Sequence, residues 1–190
     1  MTWSELPYDF RNHVNSGRSQ DYKHRVKVAE VSCFGGRQLH QAFTVGEDGA
    51  ELILVETHDL KDGVWRVSRS LTHHHEQVHG IIAGLQAVAK LAADLDEKSE
   101  DEWPALPVRC GMAAGERYQI FVLLDRYNGR LDARLSKALS YGSGRSTEWL
   151  KFSIQDIDPM VDLFVQSHDA FRPAEDATAN VDQDSESIPF

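Results

Sequence analysis

The sequence predicts an α+β protein made of two pseudo-symmetric ββββα repeats, with antiparallel sheets that carry helices on one face. Runs in which apolar and polar residues alternate, the pattern of half-buried strands, occur in two groups of four. Each group is followed by a segment whose apolar residues recur at helical spacing. Because the repeat unit is roughly 70 residues long, the pattern indicates a duplicated domain and not a solenoid array.

The first repeat is predicted over residues 22–93. Its four strands are expected at 22–32, 38–46, 51–57 and 64–71. Turns are predicted at Gly35-Gly36, Glu47-Asp48-Gly49 and Lys61-Asp62-Gly63, because Gly and Asp favour the backbone angles of hairpin turns. The helix is expected to begin at a Thr72 N-cap and to run to about Asp94.

The second repeat is predicted over residues 108–171. Its strands are expected at 108–113, 117–126, 130–139 and 147–154, with a hairpin turn at Asn128-Gly129. Asp158 is predicted to cap the final helix, because a first-turn proline, Pro159, follows it.

Three polar segments flank the repeats: an N-terminal arm (1–21), an acidic linker (94–107) and an acidic tail (172–190). The linker and the tail are expected to be mobile, and the tail disordered. The chain carries a formal net charge of −10, but 11 of its 30 acidic residues and only one of its 20 basic residues lie in 94–102 and 173–190. The predicted folded part is therefore formally neutral, and the acidic total does not exclude a nucleic-acid partner.

Composition narrows the class and the compartment. Hydrophobic residues make up 41% and charged residues 26%, as in ordinary globular domains. No apolar run approaches the roughly 18 residues of a membrane span, the N-terminus lacks an apolar signal region, and two cysteines cannot form a disulfide framework. We therefore expect a cytoplasmic protein without a membrane partner.

The ββββα–ββββα order resembles the Whirly, Pur and positive-cofactor-four family of single-stranded nucleic-acid binders. The segment SLTHHHEQVHGIIAGLQAV (70–88) is similar to the step from strand to helix, through Ser-Leu-Thr, of those coactivators, and FSIQDIDPMVDLFVQS (152–167) is similar to its counterpart in the second repeat. The resemblance covers about residues 22–171. It implies a curved sheet whose outer face contacts single-stranded DNA or RNA, and a transcription-related or nucleoid-associated role.

Such a face needs a basic track interleaved with aromatic platforms for base stacking. Strand alternation turns Ile120, Val122 and Leu124 towards the helices and the intervening residues outwards. The residues predicted to point outwards and contact nucleic acid are Lys23, Arg25, Lys27, Arg66, Arg117, Phe121, Arg130, Arg134, Arg145, Trp149 and Lys151. Binding without catalysis is the preferred function, and two alternatives stay open: a merely solvated face, or a protein-interaction and assembly surface that would make a homo-oligomer.

The histidines suggest a different alternative function, a zinc metallopeptidase. His75-Glu76-x-x-His79 has the spacing of a zinc metallopeptidase motif, in which two histidines one turn apart bind zinc and Glu76 acts as general base. The usual downstream ligand positions hold Ile82 and Leu85. A later acidic ligand, Asp94, Asp96 or Glu97, would lie more than roughly 20 Å away along a continuous helix, so the helix would have to break first. Adventitious or regulatory metal binding by the cluster is a further alternative. The simpler interpretation is a structural helix start with His73 and His74 solvated, His75 partly buried and no cofactor.

Overall fold

Two four-stranded antiparallel sheets form the framework, with the strands of each sheet in chain order. The computed structural model describes residues 25–45, 52–139 and 145–170. The first sheet contains β1 (Arg25–Cys33), β2 (Gln38–Val45), β3 (Leu52–Lys61) and β4 (Val64–His74), followed by helix α1 (Val78–Asp96). The second contains β5 (Val108–Ala113), β6 (Tyr118–Tyr127), β7 (Arg130–Leu139) and β8 (Arg145–Ser153), followed by α2 (Ile157–Asp169). The predicted α+β class with two ββββα units is confirmed.

One hairpin in each repeat has the same kind of turn. Asp62 and Gly63 join β3 to β4 with φ angles of 53° and 74°, and Asn128 and Gly129 join β6 to β7 with φ angles of 50° and 78°. Two successive positive φ angles match the right-handed twist of the flanking strands. Both turns were predicted from sequence, whereas the predicted turn at 47–49 lies outside the described residues.

Each helix packs against the sheet of the other repeat. Helix α1 lies on β5 and β6, α2 lies on β1 and β2, and β4 lies against β8. One hydrophobic core joins the repeats, so that Ile81 and Leu85 of α1 share it with Ile120 and Leu150 of the second sheet. Because neither sheet is covered by its own helix, the two repeats form a single cooperative unit.

Glycine allows α1 to approach the second sheet closely. A Cβ atom added to Gly84 would lie 2.6 Å from Cγ2 of Val122, and one added to Gly111 would lie 2.6 Å from the Cα atom of Gly84. A side chain at either position would therefore push helix and sheet apart.

A partly buried charged network joins β4 to the second sheet. Glu148 accepts hydrogen bonds from the backbone N–H of Thr72 at 2.7 Å and from its hydroxyl at 2.6 Å. The ammonium of Lys137 lies 3.1 Å from Oε2 of Glu148 and also donates to the Thr72 hydroxyl. The network ties together residues that are far apart in the chain.

The predicted start of the first helix is wrong. Thr72 is still in β4, opposite Leu54, and a short 3-10 turn from His75 to Gln77 precedes α1. The side chain of Gln77 accepts from the backbone N–H of His74 at 3.1 Å and donates to the backbone carbonyls of Ala113 and Tyr118. The tertiary partners of Thr72 and Gln77 extend the strand and delay the helix.

The second helix start differs from the prediction in the same way. Ser153, not Asp158, lies at the end of the strand, and its hydroxyl accepts from the backbone N–H of Gln155 at 3.4 Å. A 3-10 turn from Ile154 to Asp156 then leads into α2, which places Asp158 inside the first helical turn.

The linker is anchored, contrary to the expectation that it is mobile. Helix α1 continues to Asp96, so it includes the first residues assigned to the linker. Trp103 packs against the core and its indole N–H donates to the carbonyl of Leu95 at 2.9 Å. Glu100 forms an ion pair with Arg126 at 2.7 Å. The arm (1–21) and the tail (172–190) lie outside the described residues.

The segment His75–Asp96 is long and apolar enough to cross a membrane, by length and composition alone, with a mean hydropathy of 1.3. Here Val78, Ile81 and Leu85 are fully buried inside the protein. A core helix requires the same apolar composition, so this feature does not by itself indicate a membrane span.

Candidate nucleic-acid interface

The outer face of the second sheet is the surface of β5–β8 that points away from the core. Strand pairing places on it Arg109, Met112, Gln119, Phe121, Leu123, Asp125, Tyr127, Asp132, Arg134, Ser136, Trp149 and Lys151. Ile120, Val122 and Leu124 alternate with them in β6 and are fully buried, as predicted.

Apolar and aromatic groups on this face reach solvent. The exposed fraction is 46% for Met112, 56% for Tyr127 and 37% for Trp149. Met112 and Trp149 lie in one row across the sheet with Phe121 and Ser136, and Tyr127 lies at the other end of β6.

A cation lies beside each of three aromatic rings on this face, those of Tyr127, Phe121 and Trp149. The Lys151 ammonium is 4.0 Å from the centroid of the Tyr127 ring, and the Arg109 guanidinium is 5.4 Å from that of Phe121. Trp149 carries the guanidinium of Arg69, from β4, at 4.5 Å. Cation–π contacts of this kind favour ordered side chains on the face.

Two cations of the face are neutralised by neighbouring acids. Arg134 forms an ion pair with Asp125 at 2.7 Å, and Lys151 forms one with Asp132 at 3.3 Å. The cations Arg109 and Arg117 are exposed. The face is therefore weakly cationic and rich in aromatic rings.

Three predicted arginines lie at the ends of strands. Arg117 precedes β6 and lies 5.6 Å from the Tyr118 ring. Arg130 begins β7, with its guanidinium 5.2 Å from the ring of Phe34 in the first repeat. The backbone of Arg145 pairs with Ala138 at the start of β8.

The outer face of the first sheet is a different environment. Arg25 and Lys27 lie on it, as predicted, but Arg25 bonds both carboxylate oxygens of Glu56, at 3.1 and 2.9 Å, and Lys27 pairs with Glu30 at 2.9 Å. Phe43 and Leu54 form a small buried cluster on the same face. Its described basic residues are therefore paired, and it is not an open basic track. Lys23 lies outside the described residues.

Arg66 was predicted to point outwards with Arg25, and this orientation is wrong. Arg66 pairs with Asp59, which pairs with Gln38 and shares the core-facing side of β3 with Val55. A bulge in β4 at Ser68 shifts the alternation, because β3 pairs Thr57 with Arg69 but His58 with Val67.

The acid that pairs with Arg25, Glu56, is buried and lies beside the buried ring of His58. Burial opposes the ionisation of Glu56, but hydrogen bonds from His58 and Arg25 outweigh it and hold the pKa of Glu56 below its usual range. The carboxylate is thus ionised where the fold needs it, as the partner of Arg25.

The histidine motif does not lie on one continuous α-helix. His75 belongs to the 3-10 turn and His79 to the first turn of α1. Glu76 and His74 are exposed and His75 is half-buried. His73, predicted to be solvated, is buried against Phe164 at 5.5 Å, and burial lowers its pKa to about 4. Among the described residues, no group of three or more His, Cys, Asp or Glu side chains is arranged to hold a metal ion.

Sequence patterns missed four residues of the candidate interface: Arg69, Arg109, Met112 and Tyr127. A register shift between Arg109 and Gly111 places Arg109 and Met112 on the same face, although they are three residues apart. Tyr127 continues the alternation that begins at Phe121 and could have been found from it. Arg69 reaches Trp149 because β4 lies against β8, which no local pattern reports.

No protein-family model matches the chain, and no curated protein matches it at a significant level.

Proposed function

We propose that the protein binds single-stranded nucleic acid, without catalysis, on the outer face of its second sheet. The observation that supports this most is the threefold placement of a cation beside a ring: Lys151 with Tyr127, Arg109 with Phe121, and Arg69 with Trp149. Bases stack on exposed rings irrespective of their sequence, and neighbouring cations contact phosphates.

The arrangement favours stacking over phosphate contacts. Since Arg134 and Lys151 are paired with Asp125 and Asp132, few cations are available to replace counterions along the strand. Each phosphate contact on a single strand contributes about −0.7 to the slope of log K against log salt. Arg69, Arg109 and Arg117 together predict a slope of about −2, which is shallow for a nucleic-acid binder.

Fluorescence titration of the full chain with labelled single-stranded DNA and RNA, at low and moderate salt, tests the proposal. Trp149→Ala should weaken binding about tenfold, since one stacked base is worth roughly 1–3 kcal/mol. Arg109→Ala should weaken binding and reduce the salt slope. Lys90→Ala is the matched control, because Lys90 is exposed on α1, which covers the core-facing side of this sheet, and the variant should bind as wild type does.

The absence of binding at low salt would refute the proposal. Equal losses from Arg109→Ala and Lys90→Ala would show nonspecific electrostatic binding. Tighter binding of a duplex of the same sequence would also contradict it, because paired bases cannot stack on the rings.

One observation favours a second candidate, an assembly surface formed by the same face. Met112 is paired with Phe121 across β5 and β6, and Leu123 lies beside them, which makes an apolar centre ringed by charge. Interfaces between proteins have such centres. Light scattering over a range of concentrations would show a dimer that Phe121→Glu dissociates. A monomer at all concentrations would remove this candidate.

A further inference from the structure

We propose that the outer face of the first sheet, the side of β1–β4 that points away from the helices, is a docking surface for the chain's own N-terminal arm (1–21). The buried apolar side chains that strand pairing places on this face include Leu39, Phe43, Val45, Leu54, Trp65 and Val67. This inference is independent of the proposed nucleic-acid function, which concerns the other sheet.

These side chains are hidden from solvent although both helices lie elsewhere. Trp65 is only 3% exposed and Leu39 only 6%. Helix α1 packs on the second sheet, and α2 packs on the core side of β1 and β2. Leu39, Trp65 and Val67 are not part of the core that joins the repeats. Burial this complete on the side away from the helices indicates that a further segment of polypeptide covers the face.

The second sheet shows what such a face looks like when it is open. On its outer side Trp149 is 37% exposed and Tyr127 is 56% exposed. Both sheets have four antiparallel strands in chain order. Packing between neighbouring side chains of one sheet does not hide the rings of the second, so it does not account for the burial of Trp65 in the first.

The N-terminal arm has the composition of a segment that covers an apolar face. It contains Trp3, Leu6, Tyr8 and Phe10 within eight residues. Leu6, Tyr8 and Phe10 alternate with other residues, so an extended chain would turn all three towards the sheet and leave Asp9 in water.

The arm also enters at the right place and is long enough. It joins β1 through residues 22–24, and Arg25 at the start of β1 lies on this face, with its guanidinium 3.9 Å from the centroid of the Phe43 ring. Strand β3, with ten residues, makes the sheet about 33 Å long, and four strands make it about 14 Å wide. The chain from Phe10 to Arg25 can span about 50 Å when extended, which is enough to reach any part of the face.

The acidic tail is the less suitable occupant. Residues 173–190 contain five acidic residues, no basic residue and one aromatic residue, Phe190. On the face Arg25 is already paired with Glu56, and Lys27 with Glu30. Because the described basic residues of this face are neutralised, they offer an acidic segment little attraction, whereas an apolar segment gains from covering the exposed side of the sheet.

Hydroxyl-radical footprinting of the full chain, read by mass spectrometry, tests the proposal because it labels side chains according to their exposure. In the wild-type chain Trp65 should be protected, as the fully buried Met160 is, and Trp149 should be labelled. These two residues are internal references for a closed core and an open face.

The decisive variant keeps the full chain and carries Trp3→Ala, Tyr8→Ala and Phe10→Ala together. Labelling of Trp65 should rise several-fold, towards the level of Trp149, while Met160 stays protected. Phe190→Ala is the matched control, because it removes an aromatic residue from the tail and should leave Trp65 protected.

Three results would overturn the proposal. Labelling of Trp65 in the wild-type chain at the level of Trp149 would show that the face is open. Continued protection of Trp65 in the triple variant, or its loss in Phe190→Ala, would show that the arm is not the cover. Protection that disappears on dilution would show that a second copy of the chain covers the face.

A second measurement decides the question if the triple variant unfolds, which labelling of Met160 would reveal. A photoreactive phenylalanine analogue in place of Phe10 should then form crosslinks to β2, β3 or β4 of the same chain. Crosslinks confined to other segments, or to another copy, would refute the docking of the arm.

Discussion

The contact between α1 and the second sheet predicts that Gly84→Ala destabilises the protein, although alanine is the better helix former. A Cβ atom at position 84 would lie 2.6 Å from Cγ2 and 2.7 Å from Cβ of Val122. Ordinary van der Waals contact begins at 3.4 Å. Because the Cβ atom of Val122 is fixed to β6, rotating its side chain cannot relieve the clash, and helix and sheet must separate.

The magnitude follows from two opposing terms. Overpacking a well-filled core costs about 1–3 kcal/mol, and this contact lies at the upper end because backbone must move. Replacing glycine by alanine in a helix returns about 1 kcal/mol. The expected net loss is about 2 kcal/mol in the free energy of unfolding, or roughly 4–8 °C in melting temperature for a chain of this size.

Urea denaturation of the full chain, followed by circular dichroism, measures the effect. Ala83→Gly is the matched control, because Ala83 is exposed on the same helix and its substitution changes helix propensity alone, at about 1 kcal/mol. Opposite substitutions at neighbouring positions should thus both destabilise. A Gly84→Ala variant as stable as wild type, or more stable, would show that the close approach does not constrain the fold.

Two further predictions concern ionisable groups that are partly or fully buried. Glu148→Ala should lower the free energy of unfolding by about 2–3 kcal/mol, somewhat less than the loss of a fully buried pair, because the Lys137 side chain is only 9% exposed but that of Glu148 is 34% exposed. The control is Glu30→Ala, which removes a surface pair with Lys27 and should change the free energy of unfolding by less than about 0.5 kcal/mol. Equal effects of the two substitutions would contradict the structural role of the network. Since burial lowers the pKa of His73 from 6.5 to about 4, only the unfolded state takes up a proton between these values, so stability falls as the pH falls from 6.5 to 4. His73→Leu should reduce that loss by about 3 kcal/mol in denaturation measured at pH 7 and pH 4, and a pH profile identical to that of wild type would refute the assignment.

Much of the fold could be predicted because its signals are local. The hairpin at Asn128-Gly129 and the burial of Ile120, Val122 and Leu124 follow from turn chemistry and from an alternation of period two. The start of α1 was misplaced because Thr72 and Gln77 have partners in the second repeat, and these partners outweigh local capping preferences.

The candidate interface was predicted in part. Phe121, Arg134, Trp149 and Lys151 do share one outer face, as alternation along β6, β7 and β8 indicates. The ion pairs with Asp125 and Asp132 were not foreseen, because they form between strands and depend on register. A bulge in β4 and another in β5 shift the strand register. As a result, Arg66 in β4 and Arg109 in β5 lie on faces that strict alternation does not assign to them.

By itself the sequence determined the order of the elements, the duplication and the core side of most strands, because periodicity and turn residues act within a few positions of the chain. Only the tertiary structure decided which helix covers which sheet and which outer face is open. These features depend on contacts between distant segments. Such contacts are selected by the packing of the whole core, and no local pattern encodes them.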